Sequence, residues 1–132
     1  MPQISKAIIT QSNEFLFQLR DDRPGISYPN QWSFFGGEIE TGESPWKALQ
    51  REIMEELCWY PDRGRYLYQW GNLDHPGYNL HFFSLEFKGR REELVLKEGQ
   101  DLNWFTVEDI VLEKKIAPYV LMHVYRFLDL SS

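Results

Sequence analysis

Residues 37–59, GEIETGESPWKALQREIMEELCW, constrain the chain more than any other stretch. Gly37 is followed after five residues by Glu43, and after seven more by Arg51-Glu52, Ile53 and Glu55-Glu56. Ser44 is a good helix cap and Pro45 is preorganised for a first helical position, so a helix starts there. At 3.6 residues per turn, Glu52, Glu55 and Glu56 stand at i, i+3 and i+4 and share a face. Trp46, Leu49, Ile53 and Leu57 fall on an adjacent apolar face able to pack on a sheet. Ala48 is small enough to leave room for the preceding loop. Each close pair of like charges costs roughly 0.2–0.5 kcal/mol on a helix. A divalent cation removes that repulsion, and oxygen-only ligands suit Mg²⁺ or Mn²⁺.

The loop at residues 35–43 carries Gly36, Gly37 and Gly42, which let the backbone fold back over the helix start. A carbonyl near Gly37 is then a candidate oxygen ligand. An ion pair between Arg51 and Glu43 would brace loop against helix, and the planar guanidinium suits a bidentate contact. A Glu/Arg-rich helix face by itself is ordinary solvated surface. The glycine loop, Glu43, Arg51 and three glutamates at fixed spacing are not.

A chain of 132 residues is expected to form one domain over 1–132, with 42% hydrophobic and 16% aromatic residues arguing against disorder. The formal charge of −6 disfavours nucleic-acid polymers and anionic membranes. It leaves room for a nucleotide whose phosphates reach the protein through metal. A single cysteine makes no internal disulfide, and no apolar run reads as a signal peptide or a membrane span, so a cytoplasmic location is expected. Monomer and homodimer are both compatible with the sequence.

Residues 4–10 and 14–19 read as strands around a turn at 11–13, and 21–31 as a loop. A short strand at 32–35 leads into the glycine loop. Strands follow at 65–70, 78–87 and 102–105, a helical turn or two at 107–112, and a helix at 118–128 with Val120, Leu121, Val124 and Leu128 apolar. Strands broken by two main helices make an α/β arrangement. His75 reads as a turn residue, and the scattered His81 and His123 do not make a zinc site.

The spacing resembles the Nudix box, the signature of hydrolases that cut a nucleoside diphosphate linked to another group. Every charged position of the box is filled, but Cys58 stands where its last glycine belongs and Phe35 replaces the proline common before the glycine pair. The resemblance implies the Nudix fold, a mixed β-sheet between helices. It also implies a Mg-dependent hydrolase with Glu52 and Glu56 as principal metal ligands, Glu55 assisting and Gly37 offering its carbonyl. Residues 97–100 followed by Trp104 resemble a later loop of MutT-type members, which makes Glu98 an outlying carboxylate, as ligand or base. The base is Glu52 or Glu98. Arg20 and Arg23 become candidates for phosphate contacts, and Tyr28 and Trp32, near the box loop, for stacking on a base.

Short MutT-like chains point to (d)NTP pyrophosphohydrolase activity, including on oxidised nucleotides. Alternatives are cleavage of a nucleotide sugar or ADP-ribose, and a module that binds a nucleotide without cutting it. In the oxidised-nucleotide subgroup an asparagine before the last helix reads the base. Register places Pro118 there, and no asparagine follows Asn103. Cys58 itself is expected to pack inward at ordinary φ, with Pro61 ending the helix nearby.

Overall fold

The computed structural model describes residues 2–71 and 77–131. The turn residue His75 lies outside the described residues.

Strand periodicity builds the centre. In β1 (Gln3–Gln11) and β2 (Glu14–Leu19), alternate side chains face opposite ways. Ala7, Ile9 and Leu16 join one apolar cluster, while Ile8, Phe15 and Phe17 join another. The first cluster is covered by α1 (Pro45–Leu57) through Leu49, Ile53 and Leu57, with Trp46 packed at its edge. The second is covered by α2 (Val107–Leu112) and α3 (Val120–Ser131) through Ile110, Val120 and Val124. Two apolar faces demand two covering layers, and the result is a sheet between helices.

The sheet contains β3 (Trp32–Ser33), β4 (Phe35–Glu38), β5 (Arg65–Gly71), β6 (Asn79–Glu86) and β7 (Asp101–Phe105) as well. Its order runs β3-β2-β1-β6-β5, with β4 paired to β1 and β7 to β2. β1 runs parallel to β6 and antiparallel to both β2 and β4, so the sheet is mixed. Along one edge of β1, β4 takes residues 4–7 and β2 takes residues 9–11. The two partners part from each other there, and a cleft opens between them.

The glycine segment differs from the loop expected at 35–43. The strand expected at 32–35 breaks at Phe34, and Gly36 and Gly37 belong to β4. Gly36 has φ +143°, and a Cβ on it would meet the Ser5 carbonyl oxygen at 2.1 Å. Close pairing with β1, rather than a free loop, is what the glycine allows. The last helix begins and ends a little later than the expected 118–128, and Leu128 is exposed instead of packed.

Cys58 overturns the expectation of an inward-packed residue at ordinary φ. It is exposed, sits at φ 56° in the left-handed region, and caps α1 by donating its N–H to the Met54 carbonyl. The geometry a terminal glycine would have taken is kept, and cysteine occupies it with strain. Cys58→Gly should therefore raise stability by about 1 kcal/mol, the relief of left-handed strain less the added chain entropy of glycine. A higher denaturant midpoint at unchanged slope is the expected result.

Candidate active site

The cleft where β2 and β4 diverge from β1 measures about 350 Å³. A larger cavity of about 770 Å³, lined by Cys58, Trp59, Arg63, Glu86 and Lys88 among others, lies beyond the end of α1. It holds no carboxylate group of metal-binding geometry among the described residues, whereas the smaller cleft does. Chemistry, not size, selects the site.

Glu52, Glu56 and Glu98 each place a carboxylate oxygen within 4.8 Å of the others. Glu52 and Glu56, one turn apart on α1, face β4. Glu56 is buried, and its Oε1 accepts from the Gly36 N–H at 3.1 Å. Glu52 lies so close to Gly37 that a Cβ there would stand 2.4 Å from its carboxylate. Glu98 arrives from a distant segment for a local reason. The last carbonyls of a helix lack intrahelical donors, and here the N–H groups of Val95 and Lys97 bond to the carbonyls of Leu57 and Glu56. That pairing lays residues 95–97 along the end of α1 and delivers Glu98 beside Glu56. Gln18 Nε2 then donates to the Glu98 carbonyl at 2.9 Å.

Arg51 fixes the arrangement. Its Nε and Nη2 donate to the two Glu43 oxygens at 2.7 and 2.9 Å, its Nη1 to Glu52 Oε1 at 2.8 Å, and its Nη2 also to the Glu38 carbonyl at 3.0 Å. The expected brace between loop and helix is present as a fork. The hydrogen bonds from Arg51 lower the Glu43 carboxyl to about 2 and raise the guanidinium above its ordinary value. Burial raises the Glu52 pKa against the pull of Arg51. Glu56 is held well above the carboxylate range by burial first, then by its hydrogen bond with Glu98 and the charge of that neighbour.

Other expected site residues separate. Glu55 does not join the cluster: its side chain is 58% exposed and lies 3.5 Å from Arg51. One residue of helix rotation, about 100°, turns it away from the face that Glu52 and Glu56 share. Trp32 is core, buried edge-on against Phe105, and does not line the cleft. Arg23 is exposed beside Asp21 at 3.8 Å, also outside it. Arg20 and Tyr28 do line it, together with the carbonyl-bearing backbone at Gly37. Arg20 Nε donates to the Ser27 carbonyl at 2.6 Å, while Gln100 Nε2 donates to the Arg20 carbonyl and to Asn30 Oδ1, fastening loop 20–31 to the Glu98 segment. His81 is held by Tyr66 and Gln3, and His123 stacks in the core on Phe82 and Tyr68.

Several cleft residues escaped the sequence reading, and three of them bear on its chemistry. Tyr119, not Pro118, reaches the cleft ahead of α3; it hydrogen-bonds Ser33 Oγ and lies 5.2 Å from the Tyr28 ring. Tyr78 joins them. Lys6 also lines the cleft, although buried. Its signal was readable: Ile4, Lys6 and Ile8 share a strand face, and a lysine interrupts an apolar row. Burial lowers the Lys6 ammonium to about 8; the Arg20 charge adds to this, and Glu56, Glu52 and Glu98 oppose it.

Fold and cleft together bring three carboxylates from α1 and a distant segment to one side of a mixed sheet held between helices. Residues 3–123 match the NUDIX domain family. Nucleoside triphosphatase NudI of Escherichia coli is 32% identical over 108 residues, covering 73% of this chain and 74% of that protein. The MutT protein of Methanosarcina mazei Go1 superposes with a TM-score of 0.83 at 20% identity, covering 99% of this chain and 95% of that one. The solution structure of the Escherichia coli ORF135 protein gives 0.74 at 27% identity, covering 100% and 91%. The chain belongs to the Nudix family and is a hydrolase of that type. No helix among the described residues is long and apolar enough to cross a membrane.

Two outcomes follow from this geometry. Arg51→Lys keeps a charge but loses the fork, so metal affinity should fall and residues 38–43 should exchange amide hydrogens faster, with the core unaffected. Calorimetric metal titration and hydrogen exchange measure both. The folded protein also holds a proton on Glu56 more tightly than the unfolded chain does. Metal-free stability should therefore fall as pH rises above the ordinary glutamate value of about 4.5. Glu43, whose pKa is lowered to about 2 instead, gives its stabilisation in full above about 4.5 and loses it only as pH falls towards about 2, so it does not mask the decline. Unfolding in EDTA should show this decline, and saturating Mg²⁺ should remove it.

Proposed function

We propose that this chain is a Mg²⁺-dependent pyrophosphohydrolase of nucleoside triphosphates. One observation carries the reading: three carboxylates within 4.8 Å of one another stand in a cleft that also presents Arg20 and the rings of Tyr28, Tyr78 and Tyr119. A cleft with acidic, cationic and aromatic parts fits a metal, a polyphosphate and a base. The similarity to NudI, named as a nucleoside triphosphatase, supports the substrate class.

The donor set fits the cation. Crowded carboxylates, one buried and two with raised pKa values, are a costly arrangement that a divalent ion relieves. When bound, Mg²⁺ on Glu52, Glu56, Glu98 and the Gly37 carbonyl would neutralise diphosphate oxygens and acidify a water. The protein supplies the rest. Arg20 takes a phosphate oxygen, and Tyr28 with Tyr119 flanks the base. Glu56, buried and bonded to the β4 backbone, stays a fixed ligand. Glu52 is tied to Arg51. Glu98, exposed at the cleft on its own segment and hydrogen-bonded to Glu56, is tied neither to β4 nor to Arg51 and is the carboxylate that would accept the proton of the attacking water. Glu55 stands aside as a surface residue.

Tyr119 and Pro118 occupy the place expected of a base-reading asparagine, which argues for ordinary triphosphates over oxidised ones. A panel of nucleoside triphosphates, nucleotide sugars and ADP-ribose, read by phosphate release and product mass, tests the assignment. Activity should require Mg²⁺, vanish in EDTA, and fall by two or more orders of magnitude in Glu56→Gln while the melting curve stays cooperative. Undiminished hydrolysis in EDTA refutes the mechanism, and exclusive turnover of nucleotide sugars or ADP-ribose refutes the substrate class.

A further inference from the structure

The buried lysine of β1 has no counterpart in the site described so far. Lys6 is 7% exposed, shares its strand face with Ile4 and Ile8, and lines the cleft. An ammonium is costly to remove from water unless it is matched closely by an opposite charge. Arg51 shows how this fold makes such a match, with contacts of 2.7 and 2.8 Å to Glu43 and Glu52. Lys6 has no ion pair of that kind among the described residues, although the carboxylates of Glu56, Glu52 and Glu98 are near enough to act on it.

A second cation faces the same space. Arg20 lines the cleft from the end of β2, and its charge disfavours the Lys6 ammonium. Two positive groups converging on one cavity repel until an anion lies between them. The carboxylates alone do not explain the pair, because a divalent cation bound there would compete with Lys6 for the same negative charge. A diphosphate resolves both conflicts: metal and lysine then meet different oxygens of one anion.

We propose that Lys6 is a substrate-binding residue whose ammonium, with the Arg20 guanidinium, grips the diphosphate from the β1 floor of the cleft. This rests on the proposed pyrophosphohydrolase reading and adds a contact to it. Lysine acts here as a compact point charge with rotatable donors, suited to phosphate oxygens that shift during bond breaking.

Lys6→Met preserves length and apolar stem while removing the charge. Titrations of the protein with Mg²⁺ alone, and with inorganic pyrophosphate in saturating Mg²⁺, separate the roles. The expected result is pyrophosphate affinity weakened at least tenfold, with Mg²⁺ affinity unchanged or tighter because a competing cation is gone. With nucleotide substrate, kcat/KM should fall at least fiftyfold. Unchanged pyrophosphate affinity overturns the proposal. So does a loss of Mg²⁺ affinity as large as the loss for pyrophosphate, which would make Lys6 a prop for Glu56. Should Lys6→Met not fold, Lys6→Gln takes its place, and failure of both marks Lys6 as structural. If the wild-type protein cuts no nucleotide, the functional reading fails while the pyrophosphate titration still decides the role of Lys6.

Discussion

The site depends on one guanidinium. Arg51 spends its donors on Glu43, on Glu52 and on the Glu38 carbonyl, so one side chain ties the glycine segment, the loop behind it and the helix into a single unit. Without it, Glu43 and Glu52 would repel across a loop held only by its own turn at Glu40–Glu43 and by the Ile39 N–H on the Gln3 carbonyl. With it, Glu52 is oriented, and β4 is held against α1 at the distance its missing Cβ atoms allow. The planar fork matters because three separate acceptors must be met at once.

Around that unit the structure concentrates charge where a fold would ordinarily avoid it. Glu56 is buried beside Glu98, and its burial raises its pKa for the same reason that it makes a good cation ligand: the ionised form lacks solvent and seeks a counter-charge. Lys6 and Arg20 repeat the conflict with the opposite sign on the far side of the same cleft. Each set is strained alone. A metal-bound polyphosphate, the ligand proposed above, would satisfy both, so stability and function would pull against each other at this site as they do at many.

The fold delivers these groups through backbone accounting more than through side-chain attraction. The orphan carbonyls at the end of α1 recruit residues 95–97, which bring Glu98 into the cluster from more than forty residues away in sequence. Gln100 and Gln18 then fasten that segment to β2 and to loop 20–31, placing Arg20 and Tyr28 on the same cleft. Cys58 is the visible strain at this junction, holding a glycine conformation so that the helix can end where the incoming segment needs it.

What the sequence determined by itself lies within one stretch of chain. Helix capping at Ser44 and Pro45, the apolar stripe of α1, the Glu43–Arg51 pair and the Glu52–Glu56 spacing follow from local rules, because their partners are a few residues or a few turns away. Strand alternation likewise announced the sheet, since its period shows in the residues themselves. Tertiary structure decided the rest. Trp32 and Tyr28 look alike as aromatics near the box, yet one is core and the other lines the cleft, because the path of loop 20–31 and its fastening to Gln100 set which ring faces out. Glu55 and Glu56 differ by one residue and part company by helix rotation against a strand whose position sequence did not reveal. Lys6 and Tyr119 gained their place from strand pairing and the approach to α3, contacts between segments far apart in the chain, for which a local pattern carries no direction.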